Sequence, residues 1–287
     1  MTADLNDRSG SPSPDHWRLL YESPDAVLTD GASNMARDEA ILQAVGAGLA
    51  PPTLRLYGWQ PACLSLGYGQ RVSDADEARL RDHGWLLVRR LSGGRAILHV
   101  DELTYSLVLP ADHPLTAGSV MDSYRRISAA LIGAVQRLGA VSETARRETT
   151  GRAEVRAVCF ETPSDYEITA NGKKLVGSAQ VRQARAVLQH GTIPLSGDIS
   201  RICDGLQFVD EAVRELAKTS VRSRAITLSE AVGHSVSWEA AAEGVHGAFA
   251  EVLNIRMTPG VLSDAEWAQT ESLRTSRYDA KDWTHRR

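Results

Sequence analysis

The sequence predicts an α/β (α+β) fold, in which a mixed β-sheet with flanking helices forms the main domain and a small helical part follows it. Short segments of alternating apolar and polar residues predict the strands. Apolar residues at helical spacing between and after them predict the helices. The chain has 287 residues, of which 43% are hydrophobic and 24% charged, so it is long enough to bury a sizeable core.

Four strands are predicted in the first third of the chain: residues 17–23, 53–59, 62–69 and 85–91. A helix is predicted over 32–48, where apolar residues recur at helical spacing and a glycine ends the pattern. A second helix is predicted to begin at Ser73, which would cap it ahead of several acidic residues, and to end near Gly84.

The middle of the chain predicts a long helix and a hairpin. ILHV and TYSLVLP follow the Gly93-Gly94 turn as strands, and residues 119–140 have the apolar stripe of a helix. Next, DYEITA and KKLVGSAQVRQ flank Asn171-Gly172, a pair that accepts the positive φ values of a tight type I′ turn. A further strand is predicted over 186–195, and the pattern is helical from about residue 197 onward.

Three regions are predicted. Residues 1–15 are polar and lack the basic start and apolar stretch of a signal peptide, so we expect a disordered tail. Residues 16–210 would form the catalytic domain. Residues 211–287 would form a helical extension packed on that domain, because no Pro/Gly-rich linker precedes them.

Charge and cysteine content exclude several classes of protein. A net charge of −4 and a pI near 6.1 argue against a general nucleic-acid binder. No long apolar run predicts a membrane span. Cys63, Cys159 and Cys203 are an odd number of widely spaced cysteines, which indicates free thiols and a reducing cytoplasm rather than a disulfide framework.

The segment RRLSGGRAILH, residues 89–99, ends a strand in two adjacent glycines. Gly93 and Gly94 would let another molecule approach the backbone and expose amide N–H groups to a carbonyl or phosphate, with Arg90 and Arg95 nearby. An ordinary hairpin turn with solvated arginines is the alternative. The segment matches neither a P-loop nor a GxGxxG fingerprint.

Cys159 differs from the other two cysteines in its cationic surroundings. Arg152, Arg156, Lys173 and Lys174 are close in sequence, and a nearby ammonium favours the nucleophilic thiolate. Cys63, in an alternating strand, has the pattern of a buried structural cysteine. The two lysines begin a strand, so their side chains should point to opposite faces, and one can face a site while the other faces solvent. The alternative is an ordinary hairpin in which both are solvated.

Histidines and serines give weaker signals. His99 and His190 lie in suggestive segments, and a Cys–His pair is an alternative to a Cys–Lys pair. His99 is by default a hydrogen-bonded residue that fixes a loop. No HxH or HExxH spacing supports a metal site, and GxSxG, the sign of a serine nucleophile, is absent.

Taken together, RRLSGGRAILH, DELTYSLV, CFETPSDYEI, NGKKLVGSAQVRQ and LQHGTIPL resemble the lipoate–protein ligase and octanoyltransferase family, from about residue 17 to 200. SRYDAKDW near the end is similar to a Tyr/Trp ending of these proteins. The resemblance implies a mixed-sheet α/β fold shared with biotin protein ligases. Arg95 stands where the ligases carry a third glycine, and the cysteine ahead of ETPSDYEI is like that of the LipM-type octanoyltransferases.

The resemblance also implies the site. Cys159 falls on the nucleophile position and Lys174 on the lysine position of the LipM-type pattern. Backbone N–H groups of the Lys174–Gly177 segment or of the Gly93-Gly94 turn would hold the oxyanion, and residues 64–70 and 92–99 would wall an apolar slot for the acyl chain. The expected substrate-binding residues are Gly67, Tyr68, Arg90, Ser92, Gly93, Gly94, Arg95, His99, Gly177 and Ser178.

The implied activity is that of an acyltransferase without a cofactor. Octanoyl would pass from octanoyl-acyl carrier protein through a Cys159 thioester to a lysine of a lipoyl domain, such as the glycine cleavage H protein. Three alternatives stay open: an ATP-dependent lipoate–protein ligase, an amidotransferase that moves octanoyl between lipoyl domains, and a non-catalytic module that binds acyl carrier protein.

Overall fold

The computed structural model of the chain describes residues 15–24, 29–145 and 167–287. The predicted tail, residues 1–15, lies outside the described residues except for Asp15, with which the first strand begins. Eleven strands and eight α-helices are found in the described part of the chain. They form one large sheet, one small sheet and the helices that cover them.

The large sheet has eight strands in the order β11-β1-β2-β6-β10-β9-β8-β7. Its strands are β1 (Asp15–Glu22), β2 (Thr53–Tyr57), β6 (Glu102–Pro110), β7 (Ser142–Ala145), β8 (Glu167–Ala170), β9 (Lys173–Gln183), β10 (Ala186–Pro194) and β11 (Ile255–Pro259). β1 pairs with β2 and β11 in parallel, and the remaining neighbours are antiparallel, so the sheet is mixed as predicted.

The small sheet has three strands in the order β4-β3-β5: β3 (Cys63–Leu66), β4 (Leu86–Arg89) and β5 (Ile97–His99). Its side chains alternate between two environments, as the pleat requires. Leu64 and Leu66 pack against the 3₁₀ turns of Ile199–Gly205, whereas Cys63 packs with Met35 and Tyr57 beside the large sheet. The side of β3 that carries Cys63 also carries Ser65, which therefore faces the space between the sheets.

The helices are α1 (Gly31–Gly46), α2 (Glu77–Asp82), α3 (Val120–Arg137), α4 (Glu211–Arg224), α5 (Leu228–Val232), α6 (Trp238–Val252), α7 (Asp264–Leu273) and α8 (Lys281–Thr284). α3 and α6 cover one face of the large sheet, where Leu131 and Phe249 pack with Tyr105. α1 covers the opposite face through Ile41 and Leu42. Among the described helices, none is long and apolar enough to cross a membrane.

One predicted helix begins later than expected. Val72–Asp74 form a short 3₁₀ turn, and α2 begins only after Asp76, whose side chain accepts a hydrogen bond from the Arg79 N–H at 3.1 Å. The prediction of Ser73 as the cap is therefore wrong. Aspartate and serine cap about equally well, so the local sequence offers two competing starts.

The C-terminal region is more than a helical extension. β11 is an edge strand of the large sheet, and Phe249 of α6 is fully buried in the main core. The sequence did not predict β11, because a five-residue segment that ends in proline has little strand signal of its own. Residues 211–287 pack on the rest of the chain as expected, whereas the domain boundary at residue 210 stays a prediction.

Candidate active site

A partly open cavity lies between the large sheet and the small sheet, with about 290 Å³ of space when the open solvent at its mouth is included. Its walls come from α1, from both sheets and from the segment between β4 and β5. The lining residues are Met35, Tyr57, Trp59, Arg90, Ile97, His99, Thr104, Ala179, His190 and Gly191. Two of the expected substrate-binding residues, Arg90 and His99, are therefore at this cavity, and the structure adds Met35, Trp59 and His190, none of which was in that expected set.

The Gly93-Gly94 turn lies directly against Gly67. Gly94 has a φ of +96°, which strongly favours glycine, and a Cβ on Gly67 would stand 2.0 Å from the Gly94 carbonyl oxygen. The Tyr68 N–H donates to the Ser92 carbonyl at 2.9 Å. The two predicted segments, 64–70 and 92–99, are therefore packed together. Only the second contributes to the lining of this cavity, so residues 64–70 as a wall of the acyl slot stay a prediction.

Arg90 holds this turn from within. One of its terminal nitrogens donates to the carbonyl and hydroxyl oxygens of Ser65, each at 2.7 Å, and the other donates to the carbonyls of Gly93 at 3.1 Å and Arg95 at 2.9 Å. The residue is buried. Arg90 thus links the small sheet to the turn while it borders the cavity, and the half-buried Arg95 contributes its carbonyl rather than its charge to this contact.

His99 is fixed on three sides. Its ring stacks on Trp59 with the centroids 3.9 Å apart, its Nδ1 lies 2.7 Å from Glu102, and its Nε2 lies 2.7 Å from the Ser65 hydroxyl. A carboxylate can only accept, so Nδ1 carries a hydrogen. The default interpretation of His99 as a hydrogen-bonded residue that fixes a loop agrees with this geometry.

His190 on β10 joins α1 to the Gly-Gly segment. Its Nε2 lies 2.6 Å from the Ser92 hydroxyl, and its Nδ1 lies 3.4 Å from Asp38 of α1. Asp38 also accepts hydrogen bonds from Arg55 at 2.9 Å and from the Tyr57 hydroxyl at 2.9 Å. All five side chains are buried.

The pKa values of this cluster favour charge on Asp38 and neutrality on His190. Burial alone would raise the pKa of Asp38, but the hydrogen bond from His190 and the charge of Arg55 lower it below its usual range. Burial lowers the pKa of His190 and outweighs the opposing effect of Asp38. Tyr57 has a pKa well above its usual value because of burial and the Asp38 charge, so its hydroxyl stays a donor.

Lys174 and Lys173 take different environments, as predicted. Lys174 is only 7% exposed, and its Nζ lies 4.0 Å from the place that a Cβ on Gly177 would occupy. Lys173 instead donates to the Arg222 carbonyl at 2.8 Å near the surface. Gly177 pairs with Thr192, two residues from His190, so Lys174 is on a strand that borders the cavity through Ala179.

Two other predicted site residues, Ser178 and Tyr68, are not among the residues that line the cavity. The Ser178 side chain faces away from it, since its hydroxyl accepts a hydrogen bond from Tyr105 at 2.7 Å on the side of the sheet that α3 covers. Tyr68 is exposed and stacks under Arg286, whose guanidinium carbon is 4.0 Å from the ring centroid. Cys159, the predicted nucleophile, lies outside the described residues.

The two cysteines within the described residues are buried free thiols. Burial raises the pKa of the Cys63 thiol, which agrees with the prediction of a structural residue. Within residues 15–24, 29–145 and 167–287, no group of three His, Cys, Asp or Glu side chains could hold a metal ion.

Sequence reasoning missed Asp38, Trp59 and Met35. Asp38 is followed by Glu39, and both are buried although they lie in the middle of α1. Two adjacent acidic residues in a helix usually face solvent, so only knowledge of their distant partners, Arg55 for Asp38 and Arg277 for Glu39, could reveal their burial. Trp59 follows β2 and was read as part of that strand, where an aromatic residue carries no special signal.

Comparison with known proteins gives a consistent result. A family model described as the lipoyl protein ligase A/B catalytic domain matches residues 30–250. An octanoyltransferase LipM from Moorella thermoacetica is 42% identical over 94% of this chain and 98% of that protein. Another, from Kyrpidia tusciae, is 41% identical over 94% and 99% of the two chains.

Solved structures share the fold at lower identity. A chain in the structure of a bi-partite lipoate protein ligase and its E2 lipoyl domain from Thermoplasma acidophilum has a TM-score of 0.78 at 21% identity, covering 94% of this chain and 96% of that one. A lipoate-protein ligase A bound with ATP has a TM-score of 0.76 at 22% identity over 94% and 98%. The predicted lipoate-ligase-like fold is thereby confirmed.

Proposed function

The chain belongs to the lipoyl protein ligase A/B catalytic-domain family, and we propose that it acts in lipoate biosynthesis as an octanoyltransferase with an acyl-cysteine intermediate. The observation that carries this proposal is similarity over almost the whole chain to proteins named octanoyltransferase LipM, at 36–42% identity among those compared. The site supports it through Lys174, which is buried on the strand that borders the cavity through Ala179.

The first half-reaction moves octanoyl from a thioester donor to Cys159. The ammonium of Lys174 stabilises the Cys159 thiolate, which attacks the donor carbonyl carbon. A new C–S bond forms to Cys159, the bond to the donor sulfur breaks, and the donor leaves as a thiol after taking up a proton. Backbone N–H groups of the Gly93-Gly94 turn or of the Lys174–Gly177 segment would hold the oxyanion.

The second half-reaction moves the octanoyl group to an amine. A neutral lysine of the acceptor attacks the acyl-cysteine, an amide bond forms, and the Cys159 thiolate leaves. The proton that the amine loses balances the one that the donor thiol gained. Exchange between thioesters is nearly isoenergetic and amide formation from a thioester is downhill, so ATP is not chemically required.

The cavity between the sheets suits the acyl chain. Met35, Tyr57, Trp59 and Ile97 give it apolar walls, and each methylene buried there contributes roughly 0.8 kcal/mol. The ring nitrogens of His99 and His190 are already engaged with Glu102, Ser65, Asp38 and Ser92. Because these nitrogens already have hydrogen-bond partners, an apolar acyl chain in the cavity would not leave them unpaired.

We propose octanoyl-acyl carrier protein as the donor and a lipoyl domain, such as the glycine cleavage H protein, as the acceptor. The family resemblance of the Cys159–Lys174 pattern supports both partners. We place the reaction in a reducing cytoplasm, because Cys63 and Cys203 are free thiols and the mechanism needs Cys159 reduced.

The test is to incubate the protein with an apo lipoyl domain under two conditions and to record the mass of the acceptor. Octanoyl-acyl carrier protein without ATP should give the octanoylated acceptor. Octanoate with ATP and Mg²⁺ should leave it unchanged. The reverse result would mean that the chain is an ATP-dependent ligase, and modification from an octanoylated lipoyl domain alone would mean an amidotransferase.

A further inference from the structure

We propose that Asp38, His190 and Ser92 form a buried positioning relay that fixes the entry to the Gly93-Gly94 turn in the geometry needed for acyl transfer. The relay rests on the proposed function for its catalytic consequence, whereas its structural part can be tested independently. Its three members come from α1, from β10 and from the segment after β4. It therefore connects three separate elements at one point.

The hydrogen positions in this relay follow from its chemistry. The Asp38 carboxylate has only acceptors, so the His190 Nδ1, 3.4 Å away, must carry the hydrogen between them. A neutral imidazole then has a lone pair on Nε2, and the Ser92 hydroxyl, 2.6 Å away, donates to it. The lowered pKa of His190 agrees with the neutral ring that this arrangement needs.

Asp38 is itself held in place by a larger buried network. Arg55 donates to Asp38 at 2.9 Å and also to Glu22 at 2.8 Å, and the Tyr57 hydroxyl donates to Asp38 at 2.9 Å. The Arg55 side chain is only 1% exposed. The position of the Asp38 carboxylate is therefore fixed. Through His190, it fixes the position of the Ser92 hydroxyl.

Apart from the Arg90 contacts and the packing of Gly94 against Gly67, the segment that the relay holds has no side chains of its own to fix its conformation. Glycine has the widest backbone freedom of all residues, and Gly93 and Gly94 are both exposed with no side chains to pack. Ser92 is 1% exposed and directly precedes them. Its side chain is thus the last anchored group before the turn, opposite the Arg90 contacts to the Gly93 and Arg95 carbonyls.

The relay differs from a serine-hydrolase triad in its position. Ser92 is buried and is not among the residues that line the cavity, whereas the His190 ring is. A serine that does not reach the cavity cannot attack the donor carbonyl. We therefore assign the three side chains as positioning residues rather than catalytic residues.

The test uses two His190 variants of opposite design. In His190→Asn the amide can still donate to Asp38 but does not reach Ser92. In His190→Gln the amide oxygen can stand where Nε2 stood and accept from Ser92. We expect Ser92→Ala and His190→Asn each to lower kcat for octanoyl transfer by about tenfold or more, because small misplacements of reacting groups are costly.

The positioning role also predicts how the variants behave when they are combined or replaced by a conservative variant. The double variant Ser92→Ala/His190→Asn should be no slower than either single variant, since both remove the same link. His190→Gln should recover a large part of kcat, and the KM for the donor should change little in all variants. Additive losses, or equal losses for Asn and Gln, would overturn the relay in favour of a simple cavity-lining role for His190.

Two measurements on the protein alone separate this inference from the proposed function. Nitrogen-15 NMR of His190 should show hydrogen on Nδ1 and none on Nε2 at pH 7.5, and Ser92→Ala should increase the backbone mobility of Gly93 and Gly94 measured by nitrogen-15 relaxation. The opposite tautomer, or unchanged mobility, would overturn the relay. A wild-type protein that transfers no octanoyl but passes both measurements would refute the proposed function only.

Discussion

At the residue scale, His190 should make stability depend on pH between about 7.5 and 5.5. Its pKa is lowered by burial in the folded protein, whereas an unfolded histidine has a pKa of about 6.5. Below that pH the unfolded chain binds more protons than the folded one, so the free energy of unfolding falls on acidification. Glu22 and Asp38, whose pKa values are also lowered, add a further loss only at lower pH, as each becomes protonated.

Urea unfolding at several pH values checks this prediction. His190→Asn should lose less stability than the wild type between pH 7.5 and 5.5, because it lacks the titrating group. His234→Asn is the matched control at an exposed histidine and should keep the wild-type slope. Equal slopes for the wild type and His190→Asn would contradict the assignment of a neutral, buried imidazole.

Also at this scale, Met35 should set the acyl chain length. Met35 is 3% exposed and lines the cavity, so Met35→Ala should add apolar space at the wall. We expect the ratio of kcat/KM for a decanoyl donor to that for an octanoyl donor to rise by about tenfold, from two more buried methylenes at roughly 0.8 kcal/mol each. The measurement is kcat/KM with both donors.

Ile202→Ala is the matched control for this prediction. Ile202 is equally buried but lines a neighbouring cavity of about 410 Å³ that also includes Ile97 and Ile199. It should leave the ratio unchanged. A changed ratio in Ile202→Ala with none in Met35→Ala would mean that the acyl chain lies in the neighbouring cavity.

Individual site residues were only partly predictable. Lys174 and the Gly93-Gly94 turn have local signals, namely a tight hairpin and two adjacent glycines. Asp38 and Trp59 have none, because their roles arise from partners at a distance in sequence, Arg55 for the first and His99 for the second. The sequence shows which polar residues are available for a buried network, but it does not show which of them pair with one another.

At the element scale, the contact between the loop that follows β3 and the Gly-Gly turn should tolerate no side chain at Gly67. A Cβ there would stand 2.0 Å from the Gly94 carbonyl oxygen, which belongs to backbone and cannot move without displacing the turn. We expect Gly67→Ala to lower octanoyl transfer by about tenfold or more. A transfer assay alongside a thermal unfolding curve measures this.

Gly69→Ala provides the control within the same loop. Gly69 is exposed, and a Cβ on it would meet nothing within 4 Å. Its activity should match that of the wild type. Gly67→Ala with activity equal to Gly69→Ala would show that the packing of the two segments does not matter for the reaction.

Elements with strong periodicity were predictable, and those that depend on distant partners were not. α3 and the β8–β9 hairpin appear within a few residues of their predicted bounds, since both have clear local patterns. β11 was missed because its strand conformation depends on parallel pairing with β1, more than two hundred residues earlier. The start of α2 was misplaced because capping residues compete locally.

At the scale of the whole molecule, Arg89 joins the C-terminus to the loop beside the site. It is fully buried and donates to the carbonyls of Gly67, Gln70 and Thr284 at 2.8, 2.6 and 2.7 Å. Trp283 donates back to the Arg89 carbonyl at 3.0 Å. The last residues of the chain therefore fasten the loop that carries Gly67 and Tyr68.

Removal of this connection should loosen the loop and slow the reaction. Arg89→Met should lower the free energy of unfolding by about 3 kcal/mol, because it leaves several buried carbonyls without a charged donor. Truncation after Ala280 should speed hydrogen exchange of residues 67–70. Arg286→Ala removes the contacts of an exposed side chain with Tyr68 and Trp283 and should cost about 1 kcal/mol or less. Unchanged exchange after truncation would contradict this role of the C-terminus.

The most direct test of the central claim is intact-protein mass spectrometry after incubation with octanoyl-acyl carrier protein in the absence of ATP. The wild type should gain one octanoyl group, and addition of an apo lipoyl domain should remove it. Cys159→Ala should gain none, and Lys174→Met should be acylated more slowly at pH 7 and recover towards pH 9, because an unassisted thiol titrates near about 8.5. An adduct on Cys159→Ala, or octanoyl transfer with no adduct on the wild type, would contradict the acyl-cysteine mechanism.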